Sequence, residues 1–264
     1  MKKWIIIILC FILVACSNDT NTEIVVAPMT DKLTEIDNMT TITYDSSDGL
    51  TVTADMYLID DSSPIFILFH QSGWSRGEYI ETAIKLNEFG YNAMAVDLRS
   101  GIAINDITNE TARLAKEAGY PSNHADAALD VQASIEYVIN NYDMEIYLLG
   151  SSYSASLVLV AAEEYKDSVE AILAFSPAEY FIYDGKNIAS NVESLTIPSF
   201  ITSASYEIDE WKNIFEHISS EYKFAFYPEN FGSHGSASLW KSSKELTDFW
   251  NAIFFFLDKL KEDA

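Results

Sequence analysis

Hydrophobic and polar residues follow two different periods along this chain, and the order of these periods predicts the elements of the fold. The segment TITYDSSDGLTVTADMYL (residues 41–58) alternates apolar and polar positions on both sides of Asp48-Gly49, which is the pattern of a β-hairpin. SPIFILFH (63–70) is a continuous apolar run of strand length, as expected of a strand that is covered on both faces. GEYIETAIKLNEFG (77–90) then spaces its apolar residues helically and stops at Gly90, which predicts a helix.

The alternation of strand and helix patterns continues to the end of the chain. A strand pair followed by such an alternation predicts the α/β class, with one mostly parallel sheet, helices on both faces and an N-terminal antiparallel hairpin. About twenty residues separate AILAF from IPSFI, which is too few for a large cap domain. The further strand patterns are YNAMAVDL, EIYLLG, VEAILAF, IPSFITS and YKFAFYP, and the further helix patterns cover 124–142, the residues from Ser152, 208–218 and the C-terminal segment.

The first sixteen residues, MKKWIIIILCFILVAC, have the pattern of a signal peptide. Two lysines precede an apolar run, Trp4 to Ala15, that is shorter than the ~20 residues that span a membrane. The run ends in Leu-Val-Ala-Cys, which resembles the lipobox of bacterial lipoproteins, where the cysteine is acylated and becomes the first mature residue. This implies a signal peptide at 1–16, a flexible polar tether at 17–38, a domain at 39–264, and an extracytoplasmic protein that Cys16 anchors to a membrane.

Composition limits the partners and cofactors that the chain can use. The formal net charge of −24 argues against nucleic acid and against electrostatic docking on anionic lipid, so membrane contact is expected from the anchor alone. Of the two cysteines, Cys10 lies in the segment that would be removed and Cys16 would carry lipid, which leaves none for a disulfide or a thiolate metal site. Histidine spacing suggests no metal site, and no cofactor is expected.

Gly150-Ser151-Ser152-Tyr153-Ser154 lies where a strand pattern meets a helix pattern. This is the context in which a G-x-S-x-G-like motif predicts a nucleophile, because the sharp turn exposes the hydroxyl of its central residue. The motif predicts Ser152 as the nucleophile, with Ser151 merely preceding it. Ser154 replaces the usual glycine but is still small. The competing interpretation is a plain loop or a helix N-cap.

A serine nucleophile needs a base, and two histidines follow Ser152. His234, in FGSHGSA, lies in a glycine-flanked loop between the last strand pattern and the final helix, where an imidazole can reach the end of the sheet. His217 lies within a helix pattern, where a surface or packing role is expected. We therefore predict His234 as the base.

The acid that orients this base should follow the strand IPSFITS, since in doubly wound hydrolases with a serine nucleophile the chain order is serine, acid, histidine. Glu207 and Asp209 in ASYEIDE both satisfy this order, and the short spacing from Pro198 favours Glu207. Glu179, in FSPAEYF one strand earlier, is a third candidate. All three remain open at this point, with Glu207 preferred.

Two backbone amides are predicted to form the oxyanion hole. They are the amide of Tyr153, directly after the nucleophile, and an amide in the loop HQSGWSRGEY, where Ser72 is the preferred donor. His70 in the same loop is predicted to be structural and not a second base.

Five segments, FHQSGWSRGEY, NAMAVDLRSG, GSSYSA, FSPAEYF and GSHGSASLW, occur in this order across residues 64–240. With them the chain resembles the α/β-hydrolase family, and more closely its dienelactone-hydrolase-like bacterial members. The resemblance implies the α/β-hydrolase fold, a triad of Ser152, His234 and an acid, and no cofactor. True dienelactone hydrolases use a cysteine nucleophile, which this chain lacks.

These features predict a lipid-anchored serine hydrolase that cleaves a carboxylic ester through an acyl-enzyme on Ser152, with thioesters and amides as related substrates. The expected partners are a small ester-like molecule and, through the anchor, a membrane, while the oligomeric state is left open. The alternative is a non-catalytic lipoprotein that binds a ligand or a surface on the same scaffold. The order of serine, acid and histidine favours the enzyme.

Overall fold

A computed structural model of the protein describes residues 39–263. The predicted signal peptide (1–16), its lipobox residue Cys16 and the predicted tether (17–38) lie outside the described residues. Among the described helices, none combines the length and the apolar character needed to cross a membrane.

The strands occur where the apolar patterns predict them, with one additional short pair. The hairpin turn around Asp48-Gly49 joins the first two, and Gly49 has a φ of +86°, which favours glycine. The strands are β1 (Met39–Asp45), β2 (Thr51–Tyr57), β3 (Ile65–Phe69), β4 (Asn92–Val96), β5 (Ala103–Ile104), β6 (Ile107–Thr108), β7 (Ile146–Ser151), β8 (Val169–Phe175), β9 (Ser199–Thr202) and β10 (Lys223–Phe226).

The helices alternate with the strands, as the sequence predicts. A short 3₁₀ segment, Arg76–Tyr79, precedes the first of them and carries part of the site described below. The helices are α1 (Ile80–Glu88), α2 (Glu110–Ala118), α3 (Ala128–Asn141), α4 (Tyr153–Ala161), α5 (Ile188–Asn191), α6 (Ile208–His217) and α7 (Leu246–Asp263).

Within residues 39–263, eight strands form one sheet in the order β1-β2-β4-β3-β7-β8-β9-β10. β1 and β2 pair antiparallel, β2 joins β4 antiparallel, and the remaining neighbours are parallel. The predicted fold class is therefore confirmed, including the N-terminal hairpin. The carboxyl ends of β3, β7, β8 and β9 meet along one edge, where the loops that carry polar side chains converge.

Two hydrophobic layers cover the two faces of the sheet. Ile65 and Ile67 of β3 pack into the layer that contains α3, α4 and α6, whereas Phe66 and Leu68 pack into the layer that contains α1 and α7. Because both faces are covered, every residue of β3 is buried. This is the physical reason for the continuous apolar run of its sequence.

Helix α2 and the β5–β6 pair are not predicted by the sequence patterns. The Asn109 side chain accepts a hydrogen bond from the Ala112 amide at the start of α2, and Gly119 ends the helix in a left-handed conformation with φ of 76°. An N-cap asparagine and a terminal glycine are recognisable helix signals. They are easily missed here because the helix is polar and buries only Thr111 and Ala115.

Candidate active site

The turn between β7 and α4 places Ser152 in a strained backbone conformation. Its φ of 59° and ψ of −123° are uncommon for a residue with a side chain and cost of the order of 1–3 kcal/mol. The strand and the helix approach so closely that a Cβ at position 150 would lie 2.4 Å from the carbonyl oxygen of Ser154, so only glycine fits there. The Ser152 amide donates to the Phe175 carbonyl of β8 at 2.8 Å, which ties the turn to the sheet.

Ser154, which stands where the motif usually has glycine, has a structural role of its own. Its hydroxyl donates to the carbonyl of Phe69 at 2.6 Å and accepts from the amide of Ser151 at 2.8 Å. One side chain thus joins the end of β3 to the end of β7. The serine therefore fixes the position of the turn relative to the loop after β3.

We expect Ser154→Ala to lower the free energy of unfolding by about 1–3 kcal/mol, because it leaves the buried Ser151 amide without its acceptor. Denaturant unfolding monitored by tryptophan fluorescence measures the change. Ser242→Ala, at an exposed serine, is the control and should leave the stability unchanged. Equal stability of the two variants would contradict the role assigned to the Ser154 hydroxyl.

His234 and Glu207 are in direct contact, although they lie on different loops. His234 follows β10, Glu207 ends the 3₁₀ segment before α6, and the imidazole Nδ1 lies 2.5 Å from Glu207 Oε1. The second carboxylate oxygen of Glu207 accepts from the Ser176 hydroxyl at 2.7 Å. Both oxygens of Glu207 are thus used to hold the histidine and the loop after β8.

The contact between His234 and Glu207 shifts the pKa values of both side chains in the directions expected of an ion pair. Burial alone would raise the pKa of Glu207, but the hydrogen bonds from His234 and Ser176 hold it below its ordinary value. The hydrogen bond to Glu207 raises the pKa of His234, against the opposing effect of burial. With Nδ1–H donated to Glu207, the other ring nitrogen, Nε2, is the one that can accept a proton.

The other acids and the other late histidine lie elsewhere. Glu179 accepts from the amides of Ile188 and Ala189 at 2.6 and 3.0 Å, so it caps the short helix α5. Asp209 is exposed in the first turn of α6. His217 is exposed as well and bonds the carbonyl of its own helix at Asn213. Of the three candidate acids, only Glu207 contacts the imidazole of His234.

The residues after His234 bond two serines at the ends of β7 and β8. The Gly235 amide donates to the Ser176 hydroxyl, and the Ser236 amide donates to the Ser151 hydroxyl, both at 2.9 Å. A Cβ at position 235 would lie 2.3 Å from Ser151 Oγ, which requires glycine there. Ser151 therefore has a structural role that the sequence did not predict, because its hydroxyl holds the histidine loop against the turn.

The loop after β3 and the start of α4 each contain an amide without a protein acceptor at the position predicted for the oxyanion hole. In the described part of the chain, neither the Ser72 amide nor the Tyr153 amide has a protein acceptor. The preceding amide, that of Gln71, is occupied because it donates to the Glu78 carboxylate at 2.7 Å. Both amides predicted for the oxyanion hole are therefore available as donors.

His70 is a buried and neutral part of this loop. Its Nδ1 donates to the Gln71 carbonyl at 2.8 Å, and its Nε2 accepts from the Leu98 amide at 2.9 Å and from the Asn109 side chain at 3.0 Å. Burial lowers the pKa of His70 to about 4. Both ring nitrogens are occupied, so the structure agrees with the structural role predicted for this residue.

Comparison with solved structures identifies the fold. A dienelactone hydrolase of Anabaena variabilis is 16% identical, with a TM-score of 0.62 over 83% of this chain and 96% of that one. The Pyrococcus furiosus esterase Pf2001 is 16% identical, with a TM-score of 0.64 over 84% and 92%. Est1E of Butyrivibrio proteoclasticus, in a structure with bound ferulic acid, is 14% identical, with a TM-score of 0.62 over 83% and 99%.

The protein has the α/β-hydrolase fold. Its similarity to dienelactone hydrolases and esterases confirms the structural expectation that follows from the five sequence segments. At the level of sequence alone, no family model and no curated protein matches the chain.

Beside the predicted oxyanion loop, the α/β-hydrolase domain contains a histidine that the sequence patterns do not single out. His124 Nε2 lies 3.0 Å from the Ser72 hydroxyl, and its ring stacks on Tyr153 with centroids 4.3 Å apart. His124 thus touches both residues whose amides are free. Nothing in the local sequence indicates this, because 52 residues separate Ser72 from His124.

An aromatic side chain also packs against the loop after β8. The Tyr180 phenol donates to the Ser176 carbonyl at 3.1 Å. A cavity of about 540 Å³ opens beside Ser72 and is bordered by Ser100 and Tyr120. Within residues 39–263, no group of three or more histidine, cysteine and acidic side chains is arranged to hold a metal ion.

Proposed function

We propose that the protein is a serine hydrolase that cleaves a carboxylic ester through an acyl-enzyme on Ser152. The observation that carries the proposal is the contact of His234 with Glu207 on loops that are hydrogen-bonded to the turn holding Ser152. A strained serine, a histidine in a defined tautomer and a partly buried acid occur in the chain order of α/β-hydrolases. The esterases among the similar structures support an ester as the substrate.

In the proposed reaction, His234 Nε2 takes the proton from the Ser152 hydroxyl as the oxygen attacks the ester carbonyl carbon. The carbonyl oxygen becomes an oxyanion, which the amides of Ser72 and Tyr153 stabilise by hydrogen bonds. The tetrahedral intermediate collapses, the bond to the alcohol breaks, and His234 returns the proton to the leaving alkoxide. Water then attacks the acyl-enzyme by the same steps and releases the acid.

Glu207 has an electrostatic and an orienting role in this scheme. Its carboxylate accepts the Nδ1 proton of His234 and stabilises the imidazolium that forms during each proton transfer. Ser176 keeps the carboxylate in place by donating to its second oxygen. No step of the proposed reaction requires a cofactor.

The substrate is expected to be a small ester. The cavity beside Ser72 has room for a small molecule. Within the described residues, only the short helix α5 and a 3₁₀ turn, Val192–Ser194, lie between β8 and β9, so no large cap covers the site there. The acidic surface disfavours strongly anionic substrates through long-range repulsion.

The experiment that tests the proposal uses detergent-extracted full-length protein, 4-nitrophenyl acetate and a fluorophosphonate probe. We expect ester hydrolysis above the buffer rate and a covalent adduct on the peptide that contains Ser152. Folded protein that neither hydrolyses the ester nor reacts with the probe would contradict the proposal and support a ligand-binding lipoprotein instead.

The proposed location is extracytoplasmic, on a membrane, through lipid on Cys16. Several acyl chains, each contributing ~0.8 kcal/mol per buried CH₂, would hold the protein firmly. We expect Cys16→Ala to shift the protein from the membrane to the soluble fraction when cells are fractionated. Cys10→Ala is the matched control and should leave the protein in the membrane fraction. A Cys16→Ala variant that still sediments with membranes would contradict the anchor.

A further inference from the structure

Glu78, on the 3₁₀ segment before α1, is a fully buried carboxylate that the reaction proposed above does not use. Among residues 39–263, no lysine or arginine forms an ion pair with it. Its Oε2 accepts from the Gln71 amide at 2.7 Å, and its Oε1 accepts from the Ser236 hydroxyl at 2.5 Å. Ser236 in turn links the carboxylate to the turn that holds Ser152, because its amide donates to the Ser151 hydroxyl at 2.9 Å.

The two partners of Glu78 belong to two of the three loops that would carry out the reaction, and Ser151, which Ser236 contacts, belongs to the third. Gln71 directly precedes Ser72, whose amide is a proposed oxyanion donor. Ser236 follows His234 by two residues, and Ser151 directly precedes Ser152. One carboxylate therefore contacts the oxyanion loop and the histidine loop directly, and it is linked to the nucleophile turn through Ser236.

A buried carboxylate without a cationic partner is costly to a fold. Burial raises the pKa of Glu78 to about 7, against the hydrogen bonds from Ser236 and Gln71 and the attraction to His234. A glutamine of the same shape would remove that cost. A carboxylate at this place therefore indicates a use for its charge or for its two acceptor oxygens.

We propose that the ionised carboxylate of Glu78 is a positioning residue for the hydrolytic reaction, since it aligns the Ser72 amide and the His234 imidazole on Ser152. The inference rests on the proposed serine hydrolase function. The ionised group accepts from the Gln71 amide and the Ser236 hydroxyl at the same time. A protonated Glu78 carries a hydrogen on one of these oxygens, so one of the two bonds must weaken or reverse, and the negative charge that faces the imidazolium is lost.

The groups around Glu78 define how its ionisation should appear in a pH profile. Tyr79, its chain neighbour, and Tyr153, on α4, both interact with its charge, and burial keeps the pKa of each phenol well above its ordinary value. On the oxyanion loop, His70 stays neutral because burial lowers its pKa to about 4. His234 is then the facing group whose titration matters, with its pKa held above the ordinary value by Glu207, which lies beyond it.

Both Glu78 and His234 must lose a proton for activity under this proposal, so activity should rise with pH through both titrations. We expect log kcat/KM for 4-nitrophenyl butyrate to fall below neutral pH with a limiting slope of about two in the native protein. In Glu78→Gln the slope should fall to about one, because one ionisation has been removed. The acid limb of the kcat/KM profile that remains in Glu78→Gln should move to lower pH. The negative charge of Glu78 raises the pKa of His234 in the native protein, and the variant lacks this charge.

At its optimum pH, Glu78→Gln is expected to lower kcat about 10- to 100-fold, while KM changes less than about twofold, because the alignment matters most when the oxyanion forms. Glu229→Gln, at an exposed carboxylate on the segment that leads to His234, is the matched control and should keep the native slope and kcat. Glu78→Asp keeps the charge but shortens the side chain. It should keep the slope of about two with a reduced kcat.

Thermal unfolding of each variant separates misfolding from a catalytic effect, and if Glu78→Gln fails to fold, Glu78→Asp carries the test. A Glu78→Gln protein with the native slope and a kcat within about twofold of native would overturn the inference and leave the serine hydrolase proposal standing. A Glu78→Asp protein with native kcat would overturn it as well. If the native protein neither hydrolyses the ester nor reacts with the fluorophosphonate, both proposals fall together.

Discussion

Ser152→Ala is expected to abolish covalent labelling by a fluorophosphonate probe and to lower kcat for 4-nitrophenyl acetate by about 10³- to 10⁶-fold. The probe reacts only with a serine whose proton is taken by a base as it attacks. Removing the Ser152 oxygen removes the atom that forms the adduct. The oxyanion donors and the binding cleft remain, so a small residual rate above that of buffer should persist.

The neighbouring serine provides the informative comparison. The Ser151 hydroxyl accepts from the Ser236 amide, so Ser151→Ala should loosen the histidine loop and slow the labelling without moving the adduct. Intact-protein and peptide mass spectrometry locate the adduct in each variant. An adduct that persists in Ser152→Ala and disappears in Ser151→Ala would show that the nucleophile has been assigned to the wrong serine.

Glu207→Gln is expected to lower kcat by about 10³- to 10⁴-fold with little change in stability. The amide that replaces the carboxylate can turn its NH₂ group towards His234 Nδ1, which then becomes an acceptor. The proton would move to Nε2, the nitrogen that has to accept the proton of Ser152, and the imidazole would be in the wrong tautomer.

The pH profile of the residual activity should shift in a defined direction. The base must be neutral to act, so activity rises as pH increases through the pKa of His234. Glu207 raises that pKa, and its loss should lower it. The acid limb of kcat/KM for Glu207→Gln should therefore lie at lower pH than in the native protein.

Two matched variants test the choice of acid. Asp209→Asn, at an exposed residue, should keep kcat within about twofold of native. Glu179→Gln removes a charged cap from α5, so it should lower stability and leave kcat largely intact. If Asp209→Asn lost as much activity as Glu207→Gln, Glu207 would not be the acid of the reaction.

The local sequence predicts most elements of the sheet and its covering helices, because strand and helix periods reflect which side chains face a core. The continuous run of β3 and the helical spacing in α1 are examples. Helix α2 has no such pattern because it is short, polar and buries little, so its apolar spacing is weak. Its signals lie in the cap and the terminal glycine.

The residues of the candidate site also divide into those that the sequence predicts and those that only the tertiary structure identifies. Ser152 follows from a small-residue motif at a strand-to-helix junction, and His234 follows from chain order and a glycine-flanked loop. The preference for Glu207 over Asp209 could rest only on spacing, since both begin the same helical region. Which carboxylate meets the imidazole depends on how the start of α6 is oriented against the loop after β10.

By itself, the sequence determined the α/β architecture, the serine at the turn and the candidate histidine in a glycine-flanked loop, because these depend on residues near one another in the chain. Only the tertiary structure decided which acid contacts His234, and that Ser151, Ser176 and Glu78 hold the loops together. The Glu78–Ser236 contact joins residues 158 positions apart. No local period carries information about such a pair, since the sheet brings their loops together at the carboxyl ends of its strands.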